Sequence, residues 1–167
     1  MSVEFEVKAI SQARYEQIVA EARGVAEQLT QAHAQFTIGD RALEIEPMGP
    51  PGRPVSDTAA RVEQSLTRLA KDIGLPVTTV ELARWTASRW PADRRRKAES
   101  FAVHQVLAGI EDDAERFAAI DDLPGGKTHW TVDDARRRVA SQATTLAPPE
   151  EKDTATQPPA QNRRPPV

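Results

Sequence analysis

This sequence predicts an all-α protein, and three observations carry the prediction. Val62, Leu66, Leu69 and Ile73 recur at i, i+4, i+7 and i+11, one apolar stripe on a helix of about three turns. Tyr15, Ile18, Ala22, Val25, Leu29, Ala32 and Phe36 step by three and four in turn, a heptad spacing on a single helix face. Period-two alternation is confined to Val3, Phe5 and Val7, where it fits a short strand or a loose arm. The expected architecture is a multi-helix domain built around a helix-turn-helix, with a long N-terminal helix and a disordered C-terminal tail.

The helix-turn-helix lies in residues 61–90. Gly74 follows the last residue of the first stripe and accepts the positive φ that reverses a chain at a helix C-terminus. Pro76 cannot continue that helix but suits the start of another. The second helix turns Val80, Ala83 and Ala87 inward, and small Ala70 on the first lets the two axes approach. Two helices crossing through a short turn with a glycine place the second where it can enter a DNA major groove.

In chain order, residues 1–9 are an N-terminal arm, 10–46 a helical region, 47–57 a linker, 58–145 the DNA-binding domain and 146–167 the tail. Ser11 caps a helix to about Gln35, and Gly24 within it costs about 1 kcal/mol against alanine. Its stripe has two uses: packing on the chain's own helices, or forming the seam of a homodimer through the helix 11–36. Thr37 caps a further helix with Ile38, Ala42 and Ile45 inward, and MGPPGRP at 48–54 breaks the chain. Beyond Pro91, Ser100 caps a helix that buries Phe101, Leu107 and Ile110, and the next buries Phe117 and Ile120. Thr131 and Asp134 open the last helix as a capping box, with Trp130 before it in the core. After Ala147 apolar side chains almost disappear.

The chain of 167 residues suits one well-cored domain or two very small ones. The absence of cysteine excludes disulfides and thiolate metal sites. No apolar run approaches the roughly 18 residues of a spanning helix, and the acidic start MSVEFEVKAI is unlike a signal peptide. The expectation is a cytoplasmic, nucleoid-associated protein with no membrane partner. The net charge of −3 disfavours phosphate contacts, but its distribution is uneven: residues 76–97 carry six Lys/Arg against two Asp/Glu, and both flanks are acidic.

Catalytic chemistry is not expected. DDLPGGKT at 121–128 approaches a phosphate-cradling loop but has Asp121 where glycine is required. His33, His104 and His129 lie far apart without carboxylates at metal-ligand spacing, which suits surface or internally satisfied residues. The pairs Asp112/Asp113, Asp121/Asp122 and Asp133/Asp134 suit helix starts and loops. No nucleophile stands beside a base, so no enzyme, metal or cofactor is expected.

The pieces LAKDIGLPVTTV, SFAVHQVLAGIEDDAERFAAI and WTVDDARRRVA, in that order, resemble the central DNA-binding domain of ParB-type partition proteins, a family that includes KorB-like repressors. The resemblance spans residues 66–140 and implies double-stranded DNA as partner. It departs from the family in three places. The arginine-rich nucleotide-binding box is missing, so no nucleotide switch is implied. The arginine that resembling proteins present to DNA from the helix after the motif is Gln105 here. The final helix carries Arg136, Arg137 and Arg138, which would compensate.

A helical wheel centred on Val80 turns Thr78, Glu81, Leu82, Trp85 and Arg89 outward, with Thr79 beside them near the helix N-terminus. Thr78 suits a phosphate or a thymine methyl, Leu82 an apolar contact, Arg89 a phosphate or guanine, and Glu81 a cytosine amino group. Arg94, Arg95, Arg96 and Lys97 would hold the DNA backbone. The expected function is sequence-specific DNA binding, by a transcriptional regulator or a plasmid or phage maintenance factor, with residues 77–89 in the major groove. The alternative is a protein-interaction module on the same scaffold, with Leu82 and Trp85 as the anchors of a protein interface.

Overall fold

A computed structural model describes residues 10–26, 32–49 and 56–146. The arm at 1–9, the residues after 146 and most of the proline-rich linker lie outside them, as does Leu29 of the heptad stripe. The regular elements among the described residues are all helices: α1 (Gln12–Ala26), α2 (Ala32–Ile45), α3 (Ser56–Ile73), α4 (Val77–Arg89), α5 (Phe101–Leu107), α6 (Asp113–Asp121) and α7 (Val132–Leu146), with one 3₁₀ turn at Ala92–Arg94. The fold is the all-α class that the periodicities indicate.

Ser11 caps α1 as expected, its Oγ accepting from the Arg14 N–H at 3.2 Å. The single helix expected to residue 35 is instead two. Thr37 is not a cap but an interior residue of α2, where its hydroxyl donates to the His33 carbonyl at 2.9 Å. The stripe survives the break, because α1 and α2 pack against each other and bring Tyr15, Ile18, Ala22 and Phe36 into one core. Ion pairs tie the two helices together, Arg14 to Glu44 and Arg41 to Glu21, the latter at 2.6 Å. Tyr15, Ile18, Ala22 and Phe36 of the stripe are thus buried within the chain, while Val25 and Ala32 are partly buried.

The turn after α3 is built as read. Gly74 has φ 75°, the Leu75 N–H donates to the Ala70 carbonyl at 2.9 Å, and the Gly74 N–H donates to Lys71 at 3.3 Å. These are the paired bonds of a helix-ending Schellman motif. Leu66, Leu69, Ala70 and Ile73 are buried on α3, and Val80, Ala83 and Ala87 on α4.

The closest approach to α4 is made by α2. A Cβ placed on Gly39 would fall 2.7 Å from the Ala87 Cβ and nearer still to the Ala83 carbonyl oxygen. Only glycine lets the two backbones touch at this level. Residues 10–46 and 58–145, though separated in sequence by the linker, contribute to one hydrophobic cluster running from Tyr15 to Ala135.

Ser100 caps α5, accepting from the Val103 N–H at 3.3 Å, and Asp112 caps α6, accepting from Glu115 at 2.8 Å. At α7 the Asp134 N–H donates to Thr131 Oγ1 at 3.1 Å, while the Asp134 carboxylate reaches back to Thr131 N at 3.4 Å, completing the capping box. Trp130 is buried, and its indole donates to the Ile120 carbonyl at 3.0 Å. Phe117, expected inside, is only half-buried, and Arg94 lies over its ring. Asp121 and Asp122 end α6 rather than start a helix, where the helix dipole does not favour them; Arg96 and Arg138 neutralise them instead. Among the described residues no helix is long and apolar enough to cross a membrane.

Candidate nucleic-acid interface

Gripped from behind by α2 and α3, α4 keeps a narrow outward stripe. Thr78 and Glu81 are exposed, Leu82 retains 39% of its accessible surface and Trp85 36%. Neither apolar residue is sealed under another part of the chain among the described residues. Thr86 is buried on the same side as Ala83 and Ala87, and its hydroxyl has no hydrogen-bond partner among the described residues.

Each flank of the stripe has a distinct lining. Towards α5 lies a cleft of about 220 Å³ bounded by Gln35, Ile38, Thr79, Leu82, Phe101 and Gln105. It brings Thr79, Leu82 and Gln105 together from two helices. On the other flank Arg84 donates to the carbonyls of Glu46 at 2.6 Å and Pro47 at 3.1 Å, satisfying the C-terminal end of α2. Burial lowers the pKa of this guanidinium, with Glu46 and Glu81 opposing that shift. Met48, just beyond, is exposed.

The basic segment is divided by the fold. Arg89, expected on the DNA-facing stripe, turns back instead and donates to the carbonyls of Ala108 at 3.2 Å, Ile110 at 2.8 Å and Glu111 at 3.0 Å. Arg116, which sequence periodicity did not single out, is buried beside it and donates to the carbonyls of Ile110 at 2.7 Å and Arg89 at 3.1 Å. Asp113 supplies its countercharge. These two guanidinium groups tie the α5–α6 corner to the end of α4. Unpaired carbonyls beyond a helix C-terminus attract cations, which explains the withdrawal of Arg89.

Arg95 is likewise not a free phosphate ligand. It makes a two-pronged pair with Asp40 at 2.8 and 2.6 Å, donates to the Trp90 carbonyl at 2.8 Å and stacks 4.2 Å above the Phe36 ring. Arg94 and Arg96 remain exposed, with a loose partner in Asp93 at 3.6 Å and an exposed one in Asp121 at 2.6 Å. Pairs of this kind contribute about 0–1 kcal/mol and exchange readily for another anion. Lys97 is exposed.

His104 secures the loop that carries these cations. Its ring is fully buried, with Nδ1 2.8 Å from the Ser100 carbonyl and Nε2 accepting the Arg96 backbone N–H at 3.1 Å. That pairing requires the neutral tautomer with hydrogen on Nδ1. Burial pushes its pKa below the ordinary histidine value. The Trp90 indole donates to the His104 carbonyl at 2.7 Å, joining the end of α4 to α5.

The arginines of α7 are engaged at its first turns: Arg136 with Asp133 at 3.0 Å, Arg137 with Asp134 at 2.6 Å and Arg138 with Asp122 at 3.2 Å. Lys127 of the glycine-rich loop also closes on Asp134, at 2.6 Å. With Lys127 the strongest influence and Thr131 next, the Asp134 carboxyl is held well below the usual carboxylate range. The lysine of the loop is thus committed to a carboxylate of its own chain.

Residues 90–163 match the model of a family of unknown function, DUF6192. No curated protein and no solved structure matches the chain. The matched stretch begins at Trp90, so it takes in the basic loop and α5 to α7 and leaves out the Gly74 turn and α4.

Proposed function

We propose that the chain binds double-stranded DNA sequence-specifically, laying α4 in the major groove as a transcriptional regulator or a plasmid or phage maintenance factor at the nucleoid. The observation that carries this reading is the disposition of α4: it follows a glycine-reversed turn, is held from behind by α2 and α3, and leaves Thr78, Glu81, Leu82 and Trp85 uncovered. Arg94, Arg96 and Lys97 lie just past its C-terminal end, exposed and exchangeable, and take the role of backbone clamp. Arg89 and Arg95 act inside the fold. The order of the pieces that resemble ParB-type domains supports the same reading, while the arginine which that resemblance expects on the following helix is replaced by Gln105, beside α4. A dimer would double the site and its affinity.

Salt dependence tests the clamp. Binding to random duplex DNA should weaken log-linearly with salt, and replacing Arg94, Arg96 and Lys97 together by alanine should lower the slope by about 2–3, each lost phosphate contact removing roughly 0.9. An unchanged slope rejects the clamp; absence of any duplex binding rejects the function.

One observation favours a second reading, a protein-interaction module. The exposed large hydrophobic residues among those described are Met48, Leu82 and Trp85, two on α4 and the third beside the Arg84 cap. If Trp85→Ala abolishes self-association or partner capture while duplex affinity is unchanged, this face belongs to a protein.

A further inference from the structure

We infer that the corner between α4 and α5 reads an A·T base pair, with the Gln105 carboxamide on adenine and Leu82 on the thymine methyl. The inference rests on the DNA-binding reading above and adds the base class that this part of the site takes.

In the major groove guanine presents two acceptors, which arginine or lysine matches. Cytosine presents a donor, which a carboxylate matches. Adenine presents one acceptor and one donor, which a carboxamide meets with both of its groups, and thymine adds a methyl. The cleft lining contains no charged side chain: Ile38, Leu82 and Phe101 are apolar, and Gln35, Thr79 and Gln105 are polar and neutral. It therefore has neither the cation that selects guanine nor the carboxylate that selects cytosine.

The nearby charges are directed elsewhere. Arg84 is spent on α2 carbonyls at the opposite flank, Arg89 on the α5–α6 corner and Arg95 on Asp40. Glu81, one residue before Leu82, is 100° further round the helix and away from α5. Leu82 belongs both to the exposed stripe and to the cleft, so a base pair lying against the stripe at this level stands beside Gln105. Gln105 is half-buried, and among the described residues its carboxamide has no hydrogen-bond partner.

The test selects duplexes from a randomised library with the full chain, with Gln105→Arg and with Gln105→Ala. The wild type should fix A·T at one position, Gln105→Arg should move that position to G·C, and Gln105→Ala should leave it unselected. On a selected duplex, replacing that thymine by uracil removes only the methyl. This should weaken wild-type binding about 4-fold, the value of one buried methylene-sized group, and leave Leu82→Ala indifferent. Thermal melting of the variants close to that of the wild type shows the effects to be local. A selected motif in which no position responds to Gln105 substitution overturns the inference and leaves DNA binding standing. Selection of no duplex at all overturns both.

Discussion

At the residue scale, a helical wheel gives the direction of Cα–Cβ bonds and not the destination of a long side chain. Arg89 leaves α4 on the outward face, yet its guanidinium reaches carbonyls 19 to 22 residues away. An apolar periodicity passes over polar residues, so it does not single out Arg116, and it leaves His104 between a surface and an internally satisfied residue, of which the buried ring is the second. A signal was nonetheless present: Arg116 precedes Ile120 by one helical turn, and His104 lies midway between Phe101 and Leu107. Tyr15 offers a direct check on such buried polar contacts, because it is the only tyrosine in the chain. Its hydroxyl donates to Asp72 at 2.8 Å, and burial, then Asp72, push its pKa from 10.0 up to about 12. The folded state thus holds the phenolic proton more tightly than the unfolded one. Its contribution to stability is complete below pH 10 and is lost as pH rises towards 12. Ultraviolet titration of phenolate should give a midpoint well above that of the chain in urea, and coincident midpoints would remove the Tyr15–Asp72 contact from the fold.

At the scale of elements, the contact that positions α4 is its crossing with α2 at Gly39. Alanine is the better helix former by about 1 kcal/mol. At this position, however, its methyl meets the Ala83 carbonyl and Ala87 Cβ, atoms carried by rigid backbone. Sterics should win, so Gly39→Ala should lower stability by about 1–3 kcal/mol, measured as a reduced urea midpoint. A stabilised variant would mean that the helices stand further apart than described. The same crossing explains why the N-terminal region folds as two helices. A single rod to residue 35 would carry Phe36 and Gly39 away from α4, whereas the α1–α2 hairpin lays both Tyr15 and Phe36 against one core.

For the molecule as a whole, residues 10–49 are part of the structural unit that holds α4, and residues 58–145 share their core with them. Removal of the N-terminal part strips the cover from Ala83 and Ala87. A fragment of residues 58–145 should accordingly lose cooperative unfolding and expose apolar surface to a dye, whereas the full chain should unfold in one transition. A fragment that melts as sharply as the whole chain would make α2 dispensable. Charge is also redistributed at this scale. The cationic segment 76–97 receives carboxylates from Asp40 and Asp121, so the free positive surface is smaller than the linear count implies.

The local structure was legible in the residues alone: the helical class, the caps at Ser11, Ser100 and Thr131, the reversal at Gly74 and the inward set Val80, Ala83 and Ala87 all depend on neighbours within about one turn. Tertiary structure alone decided that α2 meets α4 at Gly39, that Thr37 lies inside a helix, and that Arg89 and Arg95 are withdrawn while Arg94, Arg96 and Lys97 stay outside. The physical reason is distance along the chain. The Arg95–Asp40 pair joins residues 55 positions apart, and no periodicity or cap reports which carboxylate or carbonyl a guanidinium will meet once the core has closed.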